Sequence, residues 1–201
     1  MSKKNALLIE LQYLPAIAWI HLLQQYDIIY LDNKEHYQKG SYRNRCHILG
    51  PNGTQRLSIP LVKGKHQHSH MNAVRISYDH TWQKDHWQSI CSAYRRSAYF
   101  EFYEDVLYPF YHTTYEKLFD FNFALLQLIF KLLKMEKEIR FTETYISPGA
   151  EGFDDYRGRI SPKTINGLHL DLPVYIQVFS DRFDFHPDLS ILDLICNKRT
   201  F

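Results

Sequence analysis

Two arginines flank an asparagine in the segment SYRNRCHIL, an arrangement suited to holding an anion. Arg43 and Arg45 are two residues apart, so on an extended segment their side chains point to the same face. Each guanidinium can donate paired hydrogen bonds to a phosphate or a carboxylate. We therefore predict an anion site at Arg43, Asn44 and Arg45. The anion is either a ligand or an internal carboxylate, and Asp32 is the nearest acid that a predicted strand end supplies.

A second candidate is His86, in the segment HTWQKDHW at the start of a predicted helix. Thr81 is a suitable N-cap, which places His86 in the second turn beside Asp85. A histidine near a helix start can act as a catalytic base when its partners are placed for it. The alternative is a histidine that packs at the helix start and has no part in a reaction.

Two further stretches have side chains that bind metals. His66, His68 and His70 alternate in HQHSH, and Asp154 and Asp155 form an acidic pair in FDDYRGR. The histidines lack a matching Cys, Asp or Glu spacing, and charges that alternate in a loop are typical of a solvated segment, so we predict no metal site. P-loop, GxGxxG, GxSxG and HExxH motifs are absent, which leaves the cofactor and the reaction open.

A strand, a helix and a second strand are predicted within residues 6–32, the outline of a βαβ unit with parallel strands. In such units ligands bind beyond the carboxyl ends of the strands. Gln12, Tyr13 and Asp32 follow the two predicted strands or their connections, so we expect them on one edge as substrate-binding residues.

The rest of the chain predicts an α/β fold. RCHIL and RLSIPLV are joined by GPNGT, which is typical of a β-hairpin. Apolar residues recur at helical spacing from residue 83 and again from residue 118. Further predicted elements are the strands NAVRISY, EIRFTETYI and PVYIQVF and the terminal helix DLSILDLICN. We expect a mixed or mostly parallel sheet with a βαβ start, a central hairpin and three or more helices.

The chain has 201 residues, which fits a single domain over 1–201. Residues 147–168 are rich in glycine and proline and predict a long loop. Loops of this length in a compact domain are often lids or binding segments.

Charge and cysteine content narrow the class of protein. The net charge of +2 is too balanced to predict nucleic-acid binding. Cys46, Cys91 and Cys196 are odd in number and form no CxxC pattern, which fits a reducing compartment. The N-terminal apolar run is interrupted by Glu10 and Pro15 and lacks a cleavage site. We expect no transmembrane segment and a soluble, cytoplasmic protein.

Several segments together resemble the WbqC-like protein family in order and spacing over roughly residues 6–197. They are LQYLPAIAWIHLLQQYDIIYLD, YRNRCHILGPNGTQRLSIPLVKG, WQKDHWQSICSAYRRSAYFEFY, LFDFN and LSILDLICN. The resemblance implies bacterial surface polysaccharide (O-antigen) biosynthesis and leaves the reaction undefined. It also supports Arg43, Asn44, Arg45 and His86 as site residues.

Two functions from different classes follow. The first is a group transferase acting on a sugar or nucleotide-sugar, in which the two arginines grip an anionic small molecule such as a nucleotide-sugar or sugar phosphate. Gln12 and Asn44 would then orient hydroxyls and His86 would move a proton. The second is a non-catalytic interaction or scaffold protein of a polysaccharide-biosynthesis complex, with internally paired arginines and an exposed apolar patch. Polar residues at the predicted strand ends favour the enzyme. The oligomeric state is left open.

Overall fold

Strands and helices alternate along the protein, whose computed structural model describes residues 6–62, 69–167 and 171–198. The strands are β1 (Ala6–Ile9), β2 (Ile28–Leu31), β3 (Arg45–Gly50), β4 (Gly53–Ser58), β5 (Glu138–Phe141) and β6 (Phe153–Asp155). The helices are α1 (Ile17–Gln24), α2 (Trp82–Tyr94), α3 (Phe100–Leu107), α4 (Leu118–Leu133) and α5 (Ile191–Lys198). Short 3-10 turns cover Met71–Ala73, Tyr108–Tyr111 and Ile165–Gly167.

The main sheet has four parallel strands in the order β5-β2-β1-β6. Leu7, Leu8 and Ile9 of β1 are all fully buried, as expected for a central strand covered on both faces. Leu7 of β1 pairs with Ile29 of β2, which confirms the predicted βαβ start. The mixed α/β class, with five helices in the described residues and a separate hairpin, is also confirmed.

The predicted hairpin is formed by β3 and β4, which pair antiparallel from Arg45↔Ser58 to Gly50↔Gly53. A two-residue turn, Pro51–Asn52, joins them. Gly53 has a φ of +101°, a conformation that glycine adopts without steric cost.

Three predicted elements differ in the structure. The predicted loop at 147–168 contains β6, which pairs in parallel with β1 and completes the sheet edge. NAVRISY holds a 3-10 turn and single bridges at Arg75 and Ile76, and is not a strand. PVYIQVF forms no strand either. Both were predicted from β-branched and aromatic content, which is a weak guide without a pairing partner.

The C-terminal helix closes the core against α1 and the hairpin. The Ile17 amide donates to the Leu189 carbonyl and the Ile191 amide to the Pro15 carbonyl, so the two helices begin side by side. The Ser190 amide donates to the carbonyl of His47 on β3. The elements that carry the predicted site are thus anchored to one core.

All three cysteines are buried and free. Within the described ranges, none of the helices is long and apolar enough to cross a membrane. His66 and His68 of HQHSH lie outside the described residues.

Candidate functional site

Polar side chains gather where the four parallel strands end. Glu10 follows β1, Asp32 follows β2, Thr142 follows β5 and Arg157 lies two residues beyond β6. Glu10, Asp32 and Thr142 are all buried. This is the edge of a parallel sheet at which α/β proteins bind their ligands. We call the four residues the carboxyl-edge cluster.

Asp32 organises this cluster. Its Oδ1 accepts hydrogen bonds from the Thr142 hydroxyl (2.8 Å) and the Glu35 amide (3.0 Å), and its Oδ2 accepts one from Arg157 Nη1 (2.6 Å). These bonds tie β2, β5 and the segment after β6 together. The sequence offered Asp32 as an internal partner for one of the two arginines, Arg43 or Arg45, but the structure pairs it with Arg157.

Arg43 is fully buried in the turn before β3 and is paired with Glu35. Its Nε donates to Glu35 Oε1 at 2.6 Å and its Nη2 to Oε2 at 2.5 Å. The Nη2 group also lies 4.0 Å from Glu10 Oε2. Among the described residues, its Nη1 has no hydrogen-bond partner. The sequence left open whether Arg43 binds a ligand or an internal carboxylate. In the structure it pairs with an internal carboxylate, that of Glu35.

Asn44 and Arg45 continue this segment into β3. Asn44 accepts a hydrogen bond from the Tyr37 hydroxyl (2.9 Å) and donates one to the Ile59 carbonyl (2.8 Å), so both ends of its amide are used internally. Arg45 is half-buried at the first position of β3. Arg43 lies in a turn and not in the strand, so the two arginines do not share one strand face.

The Gln12 side chain also makes its hydrogen bonds inside the protein. Its Nε2 donates to Glu10 Oε1 and to the Ile160 carbonyl, both at 2.9 Å. It therefore joins the end of β1 to the segment after β6. Two residues later, Leu14 has a φ of +40°, a conformation that is costly for a residue with a Cβ. The β1–α1 connection is thus held in a strained shape by its surroundings.

A cleft of about 740 Å³ opens beside the carboxyl-edge cluster. Its walls are the turn after β2, the segment before β6 and the exit of β6. The lining residues are 35–39, Tyr145, 148–149, Asp155, Arg157 and Arg159. Of the sequence-predicted site residues, none lines the cleft directly. Asp32 and Arg43 instead hold two residues that do line it, Arg157 and Glu35.

Some charged groups of the cleft are held in ion pairs and others are not. Arg157 donates to both oxygens of Asp155 (3.0 and 2.6 Å) as well as to Asp32. Lys39 and Arg159 are exposed and, within the described part of the chain, have no carboxylate in ion-pair range. The guanidinium carbon of Arg159 lies 4.9 Å from the centroid of the Tyr156 ring, and its charge helps to lower the pKa of Asp155.

The two carboxylates that line the cleft are shifted in opposite directions. Burial raises the pKa of Glu35 to about 7 against the lowering effect of Arg43, and the neighbouring Glu10 and Asp32 carboxylates add to the rise. For Asp155, burial opposes ionisation, but the hydrogen bonds and charge of Arg157 hold its pKa below the ordinary value. Opposite shifts within one site are typical of acid–base groups with different roles.

His86 lies elsewhere, in a buried aromatic cluster. Its Nδ1 is 2.9 Å from the hydroxyl of Tyr13, which is in turn 2.9 Å from the Tyr111 hydroxyl. The rings of Trp82 and Phe121 pack around this chain. Burial lowers the pKa of His86 to about 4. His86 and Tyr13 do not line the cleft, so their predicted roles in catalysis and binding remain predictions that this arrangement does not favour.

The histidine-rich stretch approaches the cleft at one point. His70 stacks on His36 with ring centroids 4.8 Å apart, and His36 lines the cleft. Within the described ranges, no three His, Cys, Asp or Glu side chains are grouped to hold a metal ion.

A second cleft of about 780 Å³ lies between the hairpin turn and α2. Gln55 Nε2 donates to the Ser89 hydroxyl across it (2.9 Å), and its charged residues are Arg56 and Asp85. It is lined by exposed amides and hydroxyls and is removed from the ends of the parallel strands.

Sequence reasoning missed the residues that line the first cleft. Glu35 and Lys39 lie in a polar segment with no periodicity, and Arg157 and Arg159 belong to a stretch that was interpreted as a solvated loop. The alternation of Asp155, Arg157 and Arg159 would predict one shared face on an extended segment. Residues 157–159 instead form a turn, so this spacing does not explain their place in the cleft.

The fold and this cleft define an α/β protein with an open cleft at the carboxyl edge of a parallel sheet. The sequence profile of the WbqC-like protein family matches residues 12–156, and the chain belongs to that family. The family name points to polysaccharide-related biosynthesis. No curated protein and no solved structure matches the chain significantly.

Proposed function

We propose that the protein is a group transferase of bacterial surface polysaccharide (O-antigen) biosynthesis that acts in the cytoplasm on a sugar or nucleotide-sugar. The observation that carries this proposal is the cleft at the carboxyl edge, where Lys39 and Arg159 are free of carboxylate partners.

The chemistry of the cleft fits a sugar attached to phosphate. Arg159 and Lys39 supply the positive charge that a phosphate or diphosphate requires, and an arginine can bind it through two hydrogen bonds. The exposed ring of Tyr145 offers a face for a sugar or base. Gln38 supplies an amide that can hydrogen-bond sugar hydroxyls.

The residues that the sequence predicts as substrate contacts instead hold the lining residues of the cleft in place. Asp32 holds Arg157, and Arg43 holds Glu35. Gln12 and Asn44 fix the connections on either side. They position the cleft, and the ligand contacts pass to residues 35–39 and 155–159.

A thermal-shift screen against nucleotide-sugars, sugar phosphates and divalent metals tests the proposal, on the native chain and on Arg159→Ala. A ligand at a hundred times its dissociation constant should stabilise the protein by about 2.7 kcal/mol. We expect a shift with a phosphorylated sugar that Arg159→Ala reduces. The matched control is Arg56→Ala, an exposed arginine of the second cleft. No shift with any compound would contradict the proposal.

The alternative, a non-catalytic interaction protein, has two observations in its favour. Arg43 is paired internally with Glu35, as a structural arginine would be. Phe102 on α3 is 71% exposed, and Val106 and Tyr108 near it are also exposed. In that case the screen gives no shift, and Arg43→Ala only lowers the melting temperature.

A further inference from the structure

The carboxyl edge holds more buried acidic side chains than cationic ones. Glu10, Asp32 and Glu35 are buried, and Asp155 lies half-buried beside them. Their cationic partners are the two guanidinium groups of Arg43 and Arg157. With all four acids ionised, four negative charges would face these two paired guanidinium groups, and the exposed Arg159 would act on Asp155 from the cleft.

An unbalanced buried charge is costly, and a protein relieves it by taking up a proton or a charged partner. Asp32 and Asp155 share Arg157, which leaves Glu10 and Glu35 to share Arg43. Of this second pair, only Glu35 lines the cleft. A proton that exchanges with a ligand would therefore be carried by Glu35.

The geometry of Glu35 leaves room for such a proton. Each carboxylate oxygen has two lone pairs. Arg43 takes one on Oε1 through Nε and one on Oε2 through Nη2. Among the described residues, no further group donates to either oxygen, so the second lone pair of each is unused. The two bonds from Arg43 also fix the plane of the carboxylate, because a guanidinium fork holds its partner rigidly.

We propose that Glu35 is the catalytic base of the cleft and that Arg43 is its positioning residue. This inference rests on the proposed transferase function. The hydroxyl or amine of the acceptor sugar gives its proton to Glu35, and its electron pair forms the bond to the transferred group. The bond between that group and its carrier breaks, and the electron pair leaves with the carrier.

The surroundings of Glu35 support this role. Burial raises its pKa to about 7, and a base works best when its pKa lies near the working pH. The charged groups that face it are Glu10 after β1, Asp32 after β2 and Arg43 before β3. At the exit of β6, Arg157 is bound to Asp32 and Asp155.

The first test follows the δ-carbon of Glu35 by NMR in the full chain labelled with 13C-glutamate. The resonance absent from Glu35→Gln identifies it, and the exposed Glu136, assigned in the same way with Glu136→Gln, is the control. We expect Glu35 to titrate near neutral pH, well above the midpoint of an ordinary glutamate. In Arg43→Lys, the Glu35 midpoint should rise because the paired hydrogen bonds are lost. A Glu35 midpoint below pH 5 would overturn the proposal.

The second test adds UDP-glucose and dTDP-glucose as probes. We expect either probe to move the Glu35 resonance. With water attacking in place of the acceptor hydroxyl, Glu35→Gln should release nucleoside diphosphate about a hundredfold more slowly at similar KM. Glu35→Asp keeps the charge and serves if Glu35→Gln does not fold. Binding and turnover without any effect of Glu35 would overturn this inference alone. If no probe binds the native protein, the transferase function fails and this inference fails with it.

Discussion

The guanidinium group of Arg43 grips the carboxylate of Glu35 through two parallel hydrogen bonds of 2.6 and 2.5 Å, and both side chains are buried. Because Arg43 precedes the hairpin and Glu35 follows β2, this pair joins the hairpin to the parallel sheet. Glu35 is also the member of the pair that reaches the cleft. The arginine that the sequence suggested as a ligand contact therefore acts on the cleft through its partner.

Arg43→Ala should lower the free energy of unfolding by about 3–5 kcal/mol, because it leaves the Glu35 carboxylate buried without its partner. Urea denaturation monitored by circular dichroism measures this. The control is Arg140→Ala, which removes an exposed pair with Glu138 and should lower stability far less.

The double variant Arg43→Met with Glu35→Leu tests whether the loss of stability comes from the unpaired charge. It removes both charges together and should be more stable than Arg43→Ala alone. If the double variant loses as much as the two single changes added, the buried pair is not the source of the effect.

His86 should make the protein less stable as the pH falls from 6.5 to 4. The unfolded chain binds a proton at His86 below its ordinary pKa of about 6.5, whereas burial keeps it neutral in the folded protein down to about 4. Folding thus excludes a proton in this window, and stability rises with pH by up to about 3 kcal/mol. Unfolding titrations of the native chain and His86→Asn at several pH values measure the difference. An identical pH dependence would contradict the prediction.

Glu35 should contribute with the opposite sign. Its folded-state pKa is raised to about 7, so the folded protein binds a proton that the unfolded chain has released above about pH 4.5. Its contribution is therefore present at acidic pH and is lost as the pH rises towards 7. Comparing Glu35→Gln with His86→Asn separates the two contributions, because each variant removes one of them from the curve of stability against pH.

Thr142→Val should lower stability by about 1 kcal/mol, since it removes one buried hydrogen bond to Asp32 and keeps the shape of the side chain. Thr144, two residues further on, is exposed and gives a matched control. Thr144→Val should change stability by less than about 0.5 kcal/mol. Equal losses in both variants, measured by thermal unfolding, would show that Asp32 does not organise the edge.

Gly158→Ala should cost more stability than Gly149→Ala. Both glycines have positive φ (+71° and +79°), so both substitutions incur backbone strain of about 1–2 kcal/mol. Only at Gly158 would the new Cβ approach a neighbour closely, at 3.3 Å from Gln38 Oε1. Differential scanning calorimetry should give the lower melting temperature for Gly158→Ala. Equal melting temperatures would mean that the Gln38 side chain moves aside without a cost in stability.

Much of the fold could be predicted because its elements carry local patterns. The βαβ start, the hairpin around Asn52 and the long helix α4 each have the period or turn chemistry of their structure. β6 could not be predicted, because Phe153–Asp155 is short, polar and set between glycines. It is a strand only because β1 offers an open edge, which is a tertiary property.

The site was predictable in place but not in detail. The rule that ligands bind at strand carboxyl ends led to Gln12 and Asp32, which do lie at that edge. The partner of Arg43 could not be deduced, because Glu35 lies in a polar segment where spacing carries no information. Pairing depends on how the hairpin packs on the sheet.

Isothermal titration of UDP-glucose into the protein tests the central claim most directly, with dTDP-glucose and glucose 1-phosphate in parallel. We expect at least one of them to bind. The double variant Lys39→Ala with Arg159→Ala should weaken this binding at least tenfold, and Arg56→Ala should leave it unchanged. Absence of binding by every probe would contradict a sugar-phosphate cleft at the carboxyl edge. Binding that is lost in Arg56→Ala and kept in the double variant would contradict it equally, because the ligand would then occupy the second cleft.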